Sequence, residues 1–413
     1  MAFCCSNTEG RDQKMKTDSY KLYSSPTPRE QCAVWAEIDL DALRHNYRTL
    51  RAAVTDAADR APRMITAVKA EAYGHGAERC VRALLSEGCD FFAVATLDEA
   101  IGIRKACTSV GADAEILILG YTPPTLAATL SEHDIIQTLL SADYARELAE
   151  AAAACGVAVR VHAALDTGMN RIGFPSHNEE EIQTTAEQLG KVFSCPCLQL
   201  EGAFTHFAVA DSLPCDGGHT RVQSERFRAV IALLAKKGFR IPFLHVCNSA
   251  GAILSPDDRF DGVRFGIALY GSSPSKEIQL PLRSVMKLCT TVAHLHRLLP
   301  GERVGYGGTF EAGKERRIAT LPIGYAHGFL RAYSGADVTV HTKSGAQRAT
   351  VVGRVCMDQC MLDVTGLDVA VGDAVTLFGE DPSQLDALAS RAGTIPYECL
   401  CLISSRVPRI YKD

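Results

Sequence analysis

Eight short apolar runs recur between residues 64 and 269, and amphipathic segments separate them. The runs are Met64–Val68, Phe91–Ala95, Glu115–Leu119, Ile135–Leu139, Val157–Leu165, Leu200–Thr205, Pro242–Val246 and Val263–Leu269. Runs of this length predict buried strands, and the segments between them predict helices. Regular strand–helix alternation favours parallel pairing. This α/β pattern therefore predicts a (β/α)8 TIM-like barrel, with an open doubly wound sheet as the alternative.

Beyond residue 272 the chain changes to a mainly β pattern. The candidate strands are Ala336–His341, Ala349–Val355, Gln359–Val364 and Ala374–Phe378, and one helix is expected at Ser383–Ala392. Turn residues such as Pro300 and Gly301 separate the β segments. We therefore expect a polar tail at 1–33, a barrel at 34–272 and a C-terminal β domain at 273–413, unless the first strand joins the β domain.

Charge and cysteine spacing narrow the classes of partner. The 413 residues include 43 Lys and Arg against 48 Asp and Glu, so no basic field is available for nucleic acid. The 16 cysteines lack CxxC or Cys/His zinc spacing, which predicts reduced thiols in a cytoplasm and no metal site. The chain has no apolar run of membrane-spanning length, and its opening has no apolar signal core. We therefore expect neither secretion nor membrane insertion.

Polar residues follow several of the predicted strands at the point where each strand ends. Lys69 follows the first run, the segment 166–171 the fifth, His206 the sixth and Asn248 the seventh, while Arg264 lies in the eighth. The loops at the carboxyl ends of barrel strands build the active site in this fold. Because these polar residues share one edge of the predicted barrel, we expect a catalytic or binding site there.

Nine motifs resemble the alanine racemase family, and they occur in family order across nearly the whole chain from Val34 onward. They are Ala67–Gly76, Asp166–Gly173, Phe204–Phe207, Asn248–Ala250, Val263–Gly271, Gly305–Gly307, Pro322–Tyr325, Gly353–Asp358 and Arg406–Arg409. The resemblance implies a pyridoxal 5'-phosphate cofactor and a homodimer whose active sites are shared between subunits.

The resemblance also implies the roles of the catalytic residues. Lys69 would form a Schiff base with the cofactor, which needs a neutral amine, and would then act as the base on one face of the substrate. Tyr306 of the partner subunit would serve the opposite face, supported by His206 and Arg264. Against the pyridine nitrogen, the Arg264 guanidinium would disfavour protonation of the ring.

Further residues are carried over by the same resemblance. Those expected to hold the cofactor, besides Lys69 and Arg264, are Tyr73, Asn248, Ser249, Gly266 and Ile267. Those expected to hold the substrate carboxylate are Arg171 and Met357, and those expected to line the access channel are Tyr325, Arg331, Arg354 and Asp211.

Three positions depart from the family pattern. Ala164 stands where many members have a carbamylated lysine that braces the arginine, so another group must brace Arg171. His327 replaces an aspartate, which alters the charge near the channel. Ser405 stands where some members place a tyrosine on the phosphate, so we expect a roomier pocket.

These features together predict an enzyme that interconverts L- and D-alanine. A racemase that prefers serine or accepts several amino acids is the close alternative. A non-enzymatic pyridoxal-phosphate-binding protein would lack the β domain that carries Tyr306 and Met357. A related-barrel amino acid decarboxylase would have a Cys-centred substrate motif, which we do not find.

Overall fold

Eight parallel strands close into a barrel in the computed structural model, which describes residues 32–58, 60–212 and 217–413. In circular order the barrel strands are β2 Arg63–Ala67, β3 Phe91–Val94, β4 Glu115–Ile118, β5 Ile136–Leu139, β6 Val159–Asp166, β8 Leu198–Phe204, β9 Phe243–His245 and β10 Gly262–Phe265. Pairing of β5 with β6 and of β10 with β2 closes the ring. The predicted TIM-like barrel is confirmed, and the open sheet is excluded.

Helices on the outside connect the barrel strands. They are α1 Leu40–Val54, α3 Ala77–Leu85, α4 Leu97–Ser109, α5 Ala127–Glu132, α6 Ala142–Cys155, α7 Glu179–Phe193, α8 His219–Lys236 and α9 Ser249–Leu254, with the short segment α2 Lys69–Gly74 after the first barrel strand. Capping explains several of their boundaries. For example, the Thr96 side chain accepts the Glu99 amide at the start of α4, and Gly156 ends α6 in a left-handed conformation.

The last barrel strand is shorter than its apolar run suggests. Val263–Leu269 is predicted as one strand, but the strand ends at Phe265, and Ile267–Tyr270 forms a 3-10 turn. Apolarity alone cannot separate a strand from a buried turn. The turn brings Gly266 and Ile267 to the rim of the barrel.

A nine-stranded, mainly antiparallel sheet forms the C-terminal part. Its strands, in spatial order, are β12 His294–Leu298, β15 Arg316–Leu321, β18 Cys360–Asp363, β17 Gly345–Val352, β16 Asp337–Thr342, β19 Ala374–Phe378, β11 Met286–Thr291, β1 Val34–Asp39 and β20 Arg409–Lys412. The remaining strands and α-helices are β7 Phe174–Pro175, which pairs with β6 of the barrel, and β13 Arg303–Val304, β14 Phe310–Glu311, α10 Pro382–Ala392 and α11 Pro396–Cys401 of the C-terminal part. The mainly β domain is confirmed, and the first strand pairs with β11 and β20 of this sheet instead of entering the barrel.

The interior of the barrel is apolar on one side and polar on the other. Ile65, Phe91, Ala93, Leu117 and Ile136 form one buried cluster. His162, His245 and Arg264 are also buried there. Among the described residues, no helix combines the length and apolarity needed to cross a membrane.

Candidate active site

A left-handed turn carries the side chain of Lys69. Residues 70–73 have φ between +51° and +55°, a region that costs about 1–2 kcal/mol per residue for side chains with a Cβ. Contacts from the C-terminal sheet hold the turn, since Arg409 Nε donates to the Gly74 carbonyl at 2.9 Å. A Cβ on Gly76 would lie 1.9 Å from the Tyr411 hydroxyl, so this position requires glycine. The unusual backbone is therefore fixed by its surroundings.

The amine of Lys69 lies in a partly buried, positively charged environment. Desolvation is the largest cause that lowers the pKa of Lys69, and the charges of Arg171 and Arg264 lower it further. The charge of Glu99 acts in the opposite direction. The net shift favours the neutral, nucleophilic amine that attack on a carbonyl carbon needs.

Three groups form a cradle beside Lys69. The hydroxyl oxygen of Ser249 accepts the Gly266 amide at 3.0 Å, and a Cβ on Gly266 would lie 2.5 Å from the Tyr73 hydroxyl. No described residue accepts a hydrogen bond from the backbone amide of Ile267. Asn248 caps α9 by accepting the Gly251 amide at 3.0 Å, which fixes the start of this loop. Two hydroxyls and a free amide at one rim suit an anionic group such as a phosphate.

Arg264 determines the tautomer of His206. A guanidinium only donates, so the contact of 3.3 Å between Arg264 Nη2 and His206 Nδ1 makes Nδ1 the acceptor. Desolvation, aided by the charges of Arg264, Arg171 and Lys69, lowers the pKa of His206 to about 3. The imidazole is therefore neutral near pH 7 and carries its proton on Nε2, where it can donate to a further group.

A series of side-chain hydrogen bonds runs from Arg264 into the barrel interior. Arg264 Nη1 donates to His245 Nδ1 at 2.8 Å, so His245 carries its proton on Nε2 and donates to His162 Nδ1 at 3.0 Å. Burial and the neighbouring arginine charges lower the pKa of His162 to about 3, and burial also lowers the pKa of His245. A Cβ on Gly202 would approach the His162 ring to 2.5 Å. Gly202 therefore makes room for the two neutral histidines, His245 and His162, that orient Arg264.

Backbone contacts hold the loop before Arg171. Asp166 Oδ1 accepts the amides of Gly168 at 3.1 Å and Asn170 at 2.9 Å, and Arg226 donates to the Thr167 carbonyl at 2.8 Å. Arg171 itself is exposed, and none of the described residues accepts a hydrogen bond from it. Ala164 is buried, and the loop is positioned through its backbone and not through the guanidinium.

Tyr306 and Met357 lie in loops of the C-terminal domain. A Cβ on Gly307 would lie 2.9 Å from Arg354 Nη1, so the arginine packs against the Tyr306 loop. The Tyr325 amide donates to the Cys356 carbonyl at 3.1 Å, which ties its turn to the Met357 segment. The side chain of Tyr306 is 73% exposed, and that of Met357 is 54% exposed.

The predicted site residues thus fall into two groups. Lys69, Tyr73, Arg171, His206, Asn248, Ser249, Arg264, Gly266 and Ile267 lie at the carboxyl rim of the barrel, whereas Tyr306, Tyr325, Arg354 and Met357 lie in the C-terminal domain. Arg331 and Asp211 are exposed at 3-10 turns, and Ser405 is exposed near the carboxyl end. His327 is buried, and its Nδ1 accepts the Gly324 amide at 3.3 Å, so it shapes the turn.

Sequence reasoning missed several groups near Lys69. Glu99 and Cys401 both act electrostatically on the amine, and the Tyr397 ring lies 6.1 Å from that of Tyr73. Cys401 and Tyr397 belong to α11, which has no counterpart in the predicted elements. Glu99 carries a capping-box signature, Thr96 followed three residues later by Glu, which marks a helix start but not its contact with Lys69.

Two family models match the chain along most of its length. One, the alanine racemase N-terminal domain, covers residues 38–274, and the other, the alanine racemase C-terminal domain, covers residues 285–411. Alanine racemase from Clostridium perfringens is 43% identical, and alanine racemase 1 from Clostridium acetobutylicum is 41% identical; each match spans 92% of this chain and 95% of the relative.

Solved structures agree with the sequence relatives. Alanine racemase from Streptomyces coelicolor superposes with a TM-score of 0.84 at 34% identity, covering 92% of this chain and 98% of that one. The Bacillus anthracis structure with bound L-Ala-P gives a TM-score of 0.81 at 34% identity, covering 94% of this chain and 96% of that one. The fold and the relatives together define an amino acid racemase, an isomerase. The chain belongs to the alanine racemase family.

Proposed function

We propose that the protein interconverts L- and D-alanine with pyridoxal phosphate held by Lys69, and that two subunits share each active site. The observation that carries the proposal is the partly desolvated Lys69 at the barrel rim, beside a cradle of hydroxyl and amide groups. The chemistry of this cradle fits a phosphate, with Tyr73, Ser249, Gly266 and Ile267 as its contacts and Asn248 as their support. Pyridoxal phosphate supplies an electron sink that acidifies the substrate Cα–H.

Lys69 serves one face of the substrate. Its lowered pKa favours the neutral amine, which can hold the cofactor and, when released, accept the Cα proton. The fixed left-handed turn limits the positions that the amine can reach. Proton transfer on this side is therefore restricted to one face.

Tyr306 of the partner subunit serves the other face. In its own chain, Tyr306 lies in the C-terminal domain and is 73% exposed, which supports a role at a second subunit's site. His206 has a free Nε2–H because Arg264 occupies Nδ1. A donor at this atom would favour the phenolate form of Tyr306 and so prepare it to accept a proton.

The substrate carboxylate binds to Arg171 and to the Met357 backbone of the partner subunit. Arg171 is exposed at the barrel rim, and its guanidinium can make charge-assisted hydrogen bonds to a carboxylate. Tyr325, Arg331, Arg354 and Asp211 line the access channel. Their exposure in a single chain supports this assignment. The thirteen described cysteines are all free thiols, which supports a cytoplasmic location.

A racemisation assay tests this proposal. Purified protein with pyridoxal phosphate is incubated with single L-amino acids, and the D-product is quantified by chiral chromatography. We expect alanine to be converted fastest, with measurable turnover of serine. A faster reaction with serine would favour the serine racemase alternative, and carbon dioxide release without D-product would favour a decarboxylase.

A further inference from the structure

The carboxylate of Glu99 joins two neighbouring loops at the barrel rim. Its Oε1 accepts the Ala70 amide at 2.6 Å, in the loop after β2. Its Oε2 accepts the Ala95 amide at 2.8 Å and the Thr96 amide at 3.3 Å, in the loop after β3. Both oxygens of the carboxylate are therefore used, each towards a different loop.

Ala70 is the residue that follows Lys69 and the first of the left-handed turn. The first amides of such a turn have no acceptor within it, so an outside acceptor stabilises this conformation. On the other side, Arg409 holds the Gly74 carbonyl. The turn is thus held at its start by a barrel residue and at its end by a residue of the C-terminal sheet.

We propose that Glu99 is a positioning residue for Lys69, because through the Ala70 amide it fixes the turn that aims the lysine amine. The inference rests on the proposed function, in which Lys69 carries the cofactor. Glu99 has no contact with the reacting atoms in this account.

Charge provides the second part of the role. The groups that act on the Lys69 amine are Arg171 and Arg264, which lower its pKa, and Glu99 and Cys401, which raise it. Loss of the Glu99 charge would leave the two arginines less opposed. The pKa of Lys69 would fall further, and reaction of the amine with a carbonyl would begin at lower pH.

Glu99→Gln tests both parts together. Glutamine has one accepting oxygen, and its NH2 group would face a backbone N–H in one of the two loops. Thr96→Ala is the matched control, because it removes the Thr96 contact to the Glu99 amide at 3.3 Å in the same helix cap and leaves the carboxylate in place. Glu99→Asp is the second variant, since it keeps the charge but shortens the side chain by one methylene.

The first readout is the dissociation constant of pyridoxal phosphate from the apoenzyme. The second is the midpoint of the pH dependence of the rate at which the apoenzyme takes up the cofactor. Both are followed by absorbance. For Glu99→Gln we expect a dissociation constant raised about tenfold to a hundredfold and a midpoint shifted to lower pH. Glu99→Asp should weaken binding with less change in the midpoint. Thr96→Ala should change neither.

Unchanged affinity and midpoint in Glu99→Gln would overturn the inference, as would an equal effect of Thr96→Ala. If Glu99→Gln does not fold, as judged by circular dichroism of the apoenzyme, Glu99→Asp decides: wild-type affinity in this variant overturns the inference. Borohydride reduction of the wild type followed by peptide mapping separates the two claims. A pyridoxyl group on another lysine would refute the proposed function itself.

Discussion

A single methyl group on Gly266 should disrupt cofactor binding. A Cβ there would lie 2.5 Å from the Tyr73 hydroxyl oxygen and 3.3 Å from Cζ of the same ring. The ring cannot simply move away, because Tyr73 is buried and packs on Tyr270 with centroids 4.8 Å apart. Gly266→Ala must therefore displace the Tyr73 hydroxyl or the Gly266 backbone, and both belong to the proposed phosphate cradle.

The size of the effect follows from overpacking. An extra methyl in a well-packed site costs about 1–3 kcal/mol. If the loss falls on the cofactor complex, at about 1.4 kcal/mol per tenfold, the dissociation constant of pyridoxal phosphate rises about 5- to 150-fold. Absorbance titration of the apoenzyme measures this constant directly.

A double mutant separates the clash from other effects. Tyr73→Phe removes the atom that the new methyl meets, so Gly266→Ala should be less harmful in that background, with a coupling of about 1 kcal/mol or more. Gly102→Ala is the control, because no atom lies within 4 Å of its added Cβ, and affinity should stay at the wild-type value. Unchanged affinity in Gly266→Ala, or equal losses in both backgrounds, would refute this reasoning.

Three further predictions concern stability, proton transfer and selectivity. Acidification from pH 7 to 5 should lower the free energy of unfolding, because His162 has a pKa of about 3 when folded against about 6.5 unfolded, so only the unfolded chain gains the proton. His162 alone contributes about 2 kcal/mol of this loss at pH 5, so urea titrations should show a smaller total loss in His162→Gln. In Tyr306→Phe, solvent deuterium should enter one alanine enantiomer without inversion; equal loss of exchange from both would contradict the two-base assignment. The wild type should prefer L-alanine over L-serine in kcat/KM by less than about 100-fold, and Ser405→Tyr should increase this preference. A thousandfold preference in the wild type, or an unchanged preference in the mutant, would exclude the roomier pocket.

The barrel could be predicted because its strands are short apolar runs at regular intervals along the chain. The C-terminal sheet is harder to predict from the sequence. His294–Leu298 is a mostly exposed edge strand, and its neighbour Arg316–Leu321 is only half buried, so neither sequence has a clear apolar alternation. The first strand pairs with Met286–Thr291, some 250 residues away, and no local pattern indicates such a partner.

Most candidate site residues could be named from motifs, but not their surroundings. The left-handed turn after Lys69 contains no glycine at 70–73, so propensity predicts nothing unusual there. Its conformation depends on Glu99 and Arg409, which are 30 and 340 residues away. Likewise, the hydrogen bonds that join Arg264 to His245 and His245 to His162 require the closed barrel, because the three side chains come from different strands.

Mixing two inactive variants tests the shared-site account most directly. Lys69→Ala and Tyr306→Phe each remove one of the two proposed bases, so each homodimer should lack efficient alanine racemisation. A heterodimer of the two variants would contain one site with both bases intact and one site with neither. After subunit exchange, confirmed by native mass spectrometry, activity should return to about a quarter of the wild-type value at equal mixing. No recovery despite confirmed exchange would contradict an active site built from two subunits.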